Sequence, residues 1–274
     1  MPKDLNIQIA DIPISLVLDE SFFNDAASFF SPYLSETPAE YTFSITKVPT
    51  LPEVQSHDVE ISMQDSTLHC VSEEYSGHIH METKKGEMRI REAEGVRGLV
   101  NFLKEMCSII ILFNGGLVRR AAGIVRDEKA YLFFGPSLSG KSTIARCSQD
   151  YSILSDELIA IRRINDSFKA YSIPVWQDNG KEGESSHEDK KNLVTGFPIV
   201  GLFKLVKDNT VSIQKFEKGD ALAAVFTLPF FFTTHPGRDK ILACYFDLVS
   251  AVPCYDLHFL PDDSFWKCID ECIN

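Results

Sequence analysis

The spacing of apolar residues along this chain changes character along its length, and each change marks a different kind of element. From residue 1 to about Glu94, apolar positions alternate over short runs separated by polar turns. Tyr41-Thr42-Phe43-Ser44-Ile45 alternates strictly, and 67–72, 78–83 and 88–91 read as further meander strands. Phe22-Phe23 and Phe29-Phe30 recur at i and i+7, which predicts a short helix with an aromatic face turned to a core. The period then lengthens. Residues 96–113 predict a helix that ends at Asn114-Gly115-Gly116, and its Ile109-Ile110-Ile111-Leu112 run predicts burial against a sheet.

Beyond this helix the short apolar runs return. Residues 121–125 and 130–134 flank the charged turn Arg126-Asp127-Glu128-Lys129 and read as a hairpin. Two more strands, 151–154 and 158–162, are separated by Ser155-Asp156-Glu157. Residues 177–192 are polar and rich in Gly, Ser, Glu and Lys, the composition of a mobile loop or lid, with Trp176 as its apolar anchor or as core. Residues 201–206 and 211–214 predict a hairpin around Asp208-Asn209; 216–224 and 247–252 read as helix, 255–259 as strand, and 264–273 as helix. The expected organisation is an N-terminal α+β lobe over 1–95 and an α/β domain with a mixed sheet over 96–274.

Composition narrows the class. A chain of 274 residues can bury one large core or two smaller ones. A formal net charge of -12 argues against nucleic acid as a partner, because a phosphate backbone needs a basic footprint. No apolar run reaches the roughly 18 to 20 residues that span a bilayer, and MPKDLNIQIAD opens with acidic residues where a secretory signal needs an apolar core. The seven cysteines are scattered and odd in number, as buried thiols in a reducing compartment would be, so a cytoplasmic location is expected. Cys268 and Cys272 share a helical face without further ligands nearby, and His78 and His80 share one face of a strand, where a surface role is expected. A homo-oligomer is left open.

One motif carries chemistry. Gly135-Pro136-Ser137-Leu138-Ser139-Gly140-Lys141-Ser142-Thr143 is a complete phosphate-binding loop, preceded by the apolar run 130–134 and opening a helical segment at 141–147. Its glycines let backbone N–H groups curl around a polyphosphate, Lys141 supplies a point charge to the β- and γ-phosphates, and Ser142 offers a hydroxyl to Mg²⁺. ATP or GTP is the expected ligand. Phosphoryl transfer further needs an acid to hold the metal or orient the acceptor. Asp156 follows the apolar Ile153-Leu154, so it is the candidate Mg²⁺ ligand or base, with Glu157 beside it facing the other way. Arg120 precedes the hairpin that returns to Gly135, and Arg238, in a turn His235-Pro236-Gly237-Arg238 between helical segments, is placed to reach in from the far side. Glu184, His187 and Glu188 on the lid are further candidates for a metal or acceptor contact.

The segment from Arg120 to Arg162 resembles the kinase domain of the bacterial HPr serine kinase/phosphorylase group, which shares its nucleotide site with ATP-dependent phosphoenolpyruvate carboxykinase. That family has a histidine about fifteen residues before the first glycine of the loop and an Ala-Asp-Asp motif after it. Arg120 stands at the histidine position here, and Ser155-Asp156-Glu157 at the Ala-Asp-Asp position. The run Val252-Pro253-Cys254-Tyr255-Asp256-Leu257 is similar to divergent HPr-kinase-like proteins, some of which accompany peptide-modification gene clusters. The resemblance implies a mixed-sheet P-loop core of that type, ATP and Mg²⁺ as cofactors, and a catalytic role for Asp156 with Glu157 as the second acid. A guanidinium does not deprotonate near neutral pH, so Arg120 would stabilise transferred charge rather than act as a base. Three functions follow from these residues: an ATP-dependent kinase acting on a hydroxyl of a protein, peptide or small molecule; an ATP-binding regulatory or scaffold module; or a simple ATPase.

Overall fold

In the computed structural model the described residues are 1–52, 54, 59–176, 194–226 and 237–273, Arg238 by its backbone alone. The expected lid at 177–192, with Glu184, His187 and Glu188, lies outside the described residues, as do His235 and Pro236. Internal contacts divide the chain into two units, the first built chiefly on Met1–Ile110 and the second opening with Ile111–Ile173.

The first unit is a seven-stranded sheet. Its strands are β1 (Lys3–Ile9), β2 (Ile12–Leu18), β3 (Tyr41–Val48), β4 (Glu60–Gln64), β5 (Thr67–Val71), β6 (Tyr75–His80) and β7 (Lys85–Arg91). They lie in the order β1-β2-β3-β7-β6-β5-β4. Only the β2–β3 and β3–β7 pairs are parallel. The alternation seen in the sequence decides which face is buried. Phe43, Ile45, Leu68, Cys70, Ile79, Met88 and Ile90 turn inward, each no more than 5% exposed. Helix α1 (Glu20–Phe29) buries Phe22 and Ala26. Helix α2 (Gly95–Phe113) sets Phe102 edge-on between Phe43 and Tyr75, with ring centroids 5.7 and 5.5 Å away. Gly77 makes that insertion possible, because a Cβ there would stand 2.5 Å from the Phe102 ring and 2.7 Å from the Glu87 carbonyl.

The second unit holds a nine-stranded sheet. Its strands are β8 (Gly116–Arg120), β9 (Ala122–Arg126), β10 (Lys129–Phe134), β11 (Ser152–Ser155), β12 (Leu158–Ile164), β13 (Ser167–Ser172), β14 (Phe197–Lys207), β15 (Ser212–Lys215) and β16 (Cys254–Phe259). Its helices are α3 (Lys141–Arg146), α4 (Lys218–Phe226), α5 (Arg238–Ala251) and α6 (Ser264–Ile273). The hairpin expected before the phosphate loop is present: β9 and β10 pair antiparallel, with Asp127 and Glu128 both at positive φ in the turn. The long strand β14 is the hub. Its first residues pair with β13, and it then runs parallel to both β10 and β16. Phe133, Phe203 and Tyr255 stand in register across those three parallel strands and stack, with centroids 5.1 and 5.2 Å apart and ring planes inclined by 25° and 13°. Phe265, Trp266 and Ile269 of α6 close over this aromatic row.

The expected hairpin of 201–206 with 211–214 does not form. Asp208-Asn209 does turn the chain, but β15 pairs with β16, which lies between it and β14. The chain passes through α4 and α5 before returning as β16, the crossover that a parallel pair requires. Burial of Leu257 and Phe259 between helix and sheet outweighs the local turn signal. Arg238 is likewise not in a turn between helices: Gly237 is the N-cap, at φ 114°, and Arg238 opens α5. The described cysteines are all free, and Cys272 is exposed rather than buried. Among the described residues no helix is long and apolar enough to cross a membrane.

Candidate functional site

The phosphate loop leaves the C-terminal end of β10 and enters α3, in the second unit. Its shape follows from its two glycines. Gly140 caps α3 at φ 107°, a conformation that L side chains rarely adopt, and a Cβ there would meet the Phe259 ring at 2.5 Å. Gly135 lies against Ser139, whose Oγ would be 2.5 Å from a Cβ on Gly135. Ser139 itself is buried, and its Oγ has no hydrogen-bond partner among the described residues. The loop is thus a tight cradle whose inner hydroxyl is unsatisfied, the arrangement that a phosphate oxygen would complete. Pro136, Ser137 and Leu138 form the exposed rim, with Leu138 at φ 64°. Ser142 is exposed and Thr143 half-buried in the first turn of α3.

Lys141 arches back over the loop, and its Nζ donates to the carbonyls of Gly135 and Pro136 at 3.0 and 2.9 Å. Burial holds its pKa below the ordinary lysine value, and the charges of Arg120 and then Arg119 lower it further. Three cations therefore share one neighbourhood. Arg119 and Arg120 are the last two residues of β8 and alternate across it: Arg120 is exposed and Arg119 is 3% exposed. The Arg119 guanidinium lies 4.4 Å from the centroid of Phe134, the residue before the loop, and its Nη1 donates to the Val225 carbonyl in the last turn of α4 at 2.7 Å. Burial lowers its pKa, opposed in part by the Tyr245 hydroxyl. A cavity of about 10 Å³ beside it, lined by Ala121, Leu132, Phe134 and Leu202 among others, offers space on the scale of one water.

The acidic turn reaches the same end of the sheet. β11 pairs with β9, and a bulge at Leu154 precedes Ser155, which lies opposite Gly123. Ser155 Oγ accepts the N–H groups of Glu157 and Leu158, both at 3.1 Å, so Ser155 organises the turn and leaves both carboxylates out of that role. Asp156 is half-buried and Glu157 exposed. The Glu157 carbonyl accepts the Ala121 N–H at 3.1 Å, and Leu158 pairs with Arg120. Register therefore sets the backbone of Arg120 beside the Asp156-Glu157 turn, and Arg120 lies near enough to Lys141 to lower its pKa. Nothing is described of the Arg238 side chain. Among the described residues no three His, Cys, Asp or Glu side chains converge as a metal-ligand set.

Sequence reading undervalued two features. Arg119 gave no signal beyond its neighbour, because only the fold shows that it is the buried member of the pair. Lys207 was missed as well: its Cε lies 3.4 Å from the Cβ position of Gly140. The end of β14 that places it there follows from parallel pairing with β10 and β16.

No protein-family model matches the chain, and no curated protein matches it. Among solved structures, the HPr(Ser) kinase/phosphatase from Coxiella burnetii is similar at 10% identity, over 57% of this chain and 95% of that one, with a TM-score of 0.31. The chain is a mixed α/β protein built on a seven-stranded and a nine-stranded sheet.

Proposed function

We propose that the chain binds ATP at Gly135–Thr143 and transfers its γ-phosphate to a hydroxyl of a protein, peptide or small molecule. The observation that carries this reading is the cradle with its buried, unsatisfied Ser139 hydroxyl, next to a Lys141 whose pKa burial, Arg120 and Arg119 all lower. The positive charges that lower the Lys141 pKa also favour an anion bound beside it. In the proposed reaction the acceptor oxygen attacks the γ-phosphorus, the bond to the β,γ-bridging oxygen breaks, and ADP carries away that electron pair. The acceptor proton passes to Asp156, with Glu157 orienting the hydroxyl. Arg120 stabilises charge on the transferred group, and Arg238 is assigned the same task. Ser142 would hold Mg²⁺ directly, with Asp156 reaching it only through a water; the ion would supply charge neutralisation to the phosphate oxygens and needs only one or two protein oxygens besides phosphate and water.

The deciding experiment incubates the chain with γ-labelled ATP and Mg²⁺ against a lysate and follows the label, with calorimetry of ATP binding alongside. Label is expected in a macromolecule or metabolite, falling at least about 100-fold in Asp156→Asn, the scale of a removed acid–base group. ATP affinity is expected to survive Asp156→Asn and to weaken by roughly 1.5 to 3 kcal/mol in Lys141→Ala. Label found only as free phosphate would replace transfer by simple ATP hydrolysis. Tight binding with no turnover would replace it by a binding module, and no binding at millimolar ATP would remove the site altogether.

A further inference from the structure

Two histidines face each other on the polar side of the first unit's sheet, in a place that the phosphate chemistry does not use. His69 of β5 stands in antiparallel register with His78 of β6, their ring centroids 5.8 Å apart and their planes tilted by 31°. The core determines where these rings point. Leu68, Cys70 and Ile79, their neighbours along the strands, are completely buried on the opposite face, so strand alternation turns both imidazoles outward. One step along the ladder Thr67 faces His80, whose Nδ1 accepts the Thr83 N–H at 3.3 Å. Asp65 and Ser66 close this end in a turn, both at positive φ. His69, His78 and His80, with Gln64, Asp65 and Thr67, line one open cavity of about 360 Å³. All three imidazoles are half-buried, which limits their rotamers while leaving the ring edges accessible.

The spacing suits a shared ion. A first-row metal sits about 2.0–2.1 Å from each imidazole nitrogen, which sets two ligating rings roughly 4.5 to 5.3 Å apart between centroids for right-angled to tetrahedral coordination. The observed 5.8 Å exceeds that separation by only about 0.5 to 1.3 Å, a gap that side-chain rotation of two half-buried imidazoles on fixed strands can close. We propose that His69 and His78 form a binding site for a divalent transition-metal ion of the nickel, copper or zinc type. The two imidazoles are the protein ligands and water completes the shell, since no third His, Cys, Asp or Glu converges with them among the described residues. Imidazole nitrogen selects this class of ion, whereas Mg²⁺ takes oxygen ligands. The site therefore stands or falls independently of the nucleotide reading.

The test titrates Ni²⁺ alone, without nucleotide, into the full-length chain by calorimetry, and repeats the titration on four variants. One equivalent is expected to bind the native chain, with affinity at least about tenfold weaker in both His69→Asn and His78→Asn. Cys272→Ser and His258→Asn, which alter an exposed thiol and a histidine of the other unit, are expected to leave it unchanged. As a second readout, Ni²⁺ should raise the melting temperature of the native chain and of Cys272→Ser but not of His78→Asn. Absence of binding to the native chain, or equal affinity in His69→Asn or His78→Asn, overturns the proposal. So does a loss confined to either control.

Discussion

Lys141 is where residue-scale physics is most exposed. Its ammonium is held at a pKa below the ordinary lysine value by burial, then by Arg120 and Arg119. Between that lowered value and 10.5 the unfolded chain binds the additional proton, so this residue makes stability rise with pH across the window. Removing a like charge relieves the repulsion. Arg120→Ala is therefore expected to move the Lys141 pKa upward, read from the side-chain resonances in a pH titration by NMR; a pKa that stays put would show that Arg120 does not act on the loop. Gly140 gives a second expectation at this scale. Ala at position 140 must adopt φ near 107° and push against the 2%-exposed Phe259. Gly140→Ala should cost about 1 to 3 kcal/mol in denaturant unfolding. The loop residues themselves were legible from sequence because a contiguous motif needs no partner from elsewhere. The unsatisfied Ser139 hydroxyl and the burial of Arg119 were not, because both are made by packing against distant segments.

At the scale of elements, the pairing of β16 changes what is expected of the C-terminal region. A hairpin of 201–206 with 211–214 would leave β16 outside the core, whereas the structure sets it between β14 and β15 with both ladders complete. Amides of Tyr255, Leu257 and Phe259 should then be among the slowest in the second unit to exchange with deuterium, and those of the edge strand β15 among the faster. Rapid exchange throughout β16 would contradict the observed ladder order. The strands and helices were mostly readable from their periods: α2 appears at Gly95–Phe113 against a predicted 96–113, and the β9–β10 hairpin appears around its charged turn. Partner choice was not readable. Alternation in Cys254–Phe259 says which residues share a face, but not which strand lies beside them.

For the whole molecule, charge is the property that sequence controls most directly. A net charge of -12 at pH 7 and a pI near 5.0 predict no salt-dependent retention on DNA or heparin at neutral pH, and a solubility minimum close to pH 5. Retention on heparin that is released by salt would reveal a local basic surface strong enough to defeat the global field.

The amino-acid sequence by itself determined the periods of the elements, the phosphate loop, the acidic charge, and the acid-bearing turn after β11. These are local or additive properties: a strand alternates, a helix repeats, and charges sum, whatever the chain does elsewhere. Tertiary structure alone decided that β14 runs parallel to both β10 and β16, and that Ala121 bonds to Glu157 so that Arg120 and Asp156-Glu157 share one end of the sheet. It alone set His69 opposite His78. Such pairings join strands through the packed assembly, and the free energy that selects them comes from burying the apolar faces of several strands at once, a quantity that no single segment carries.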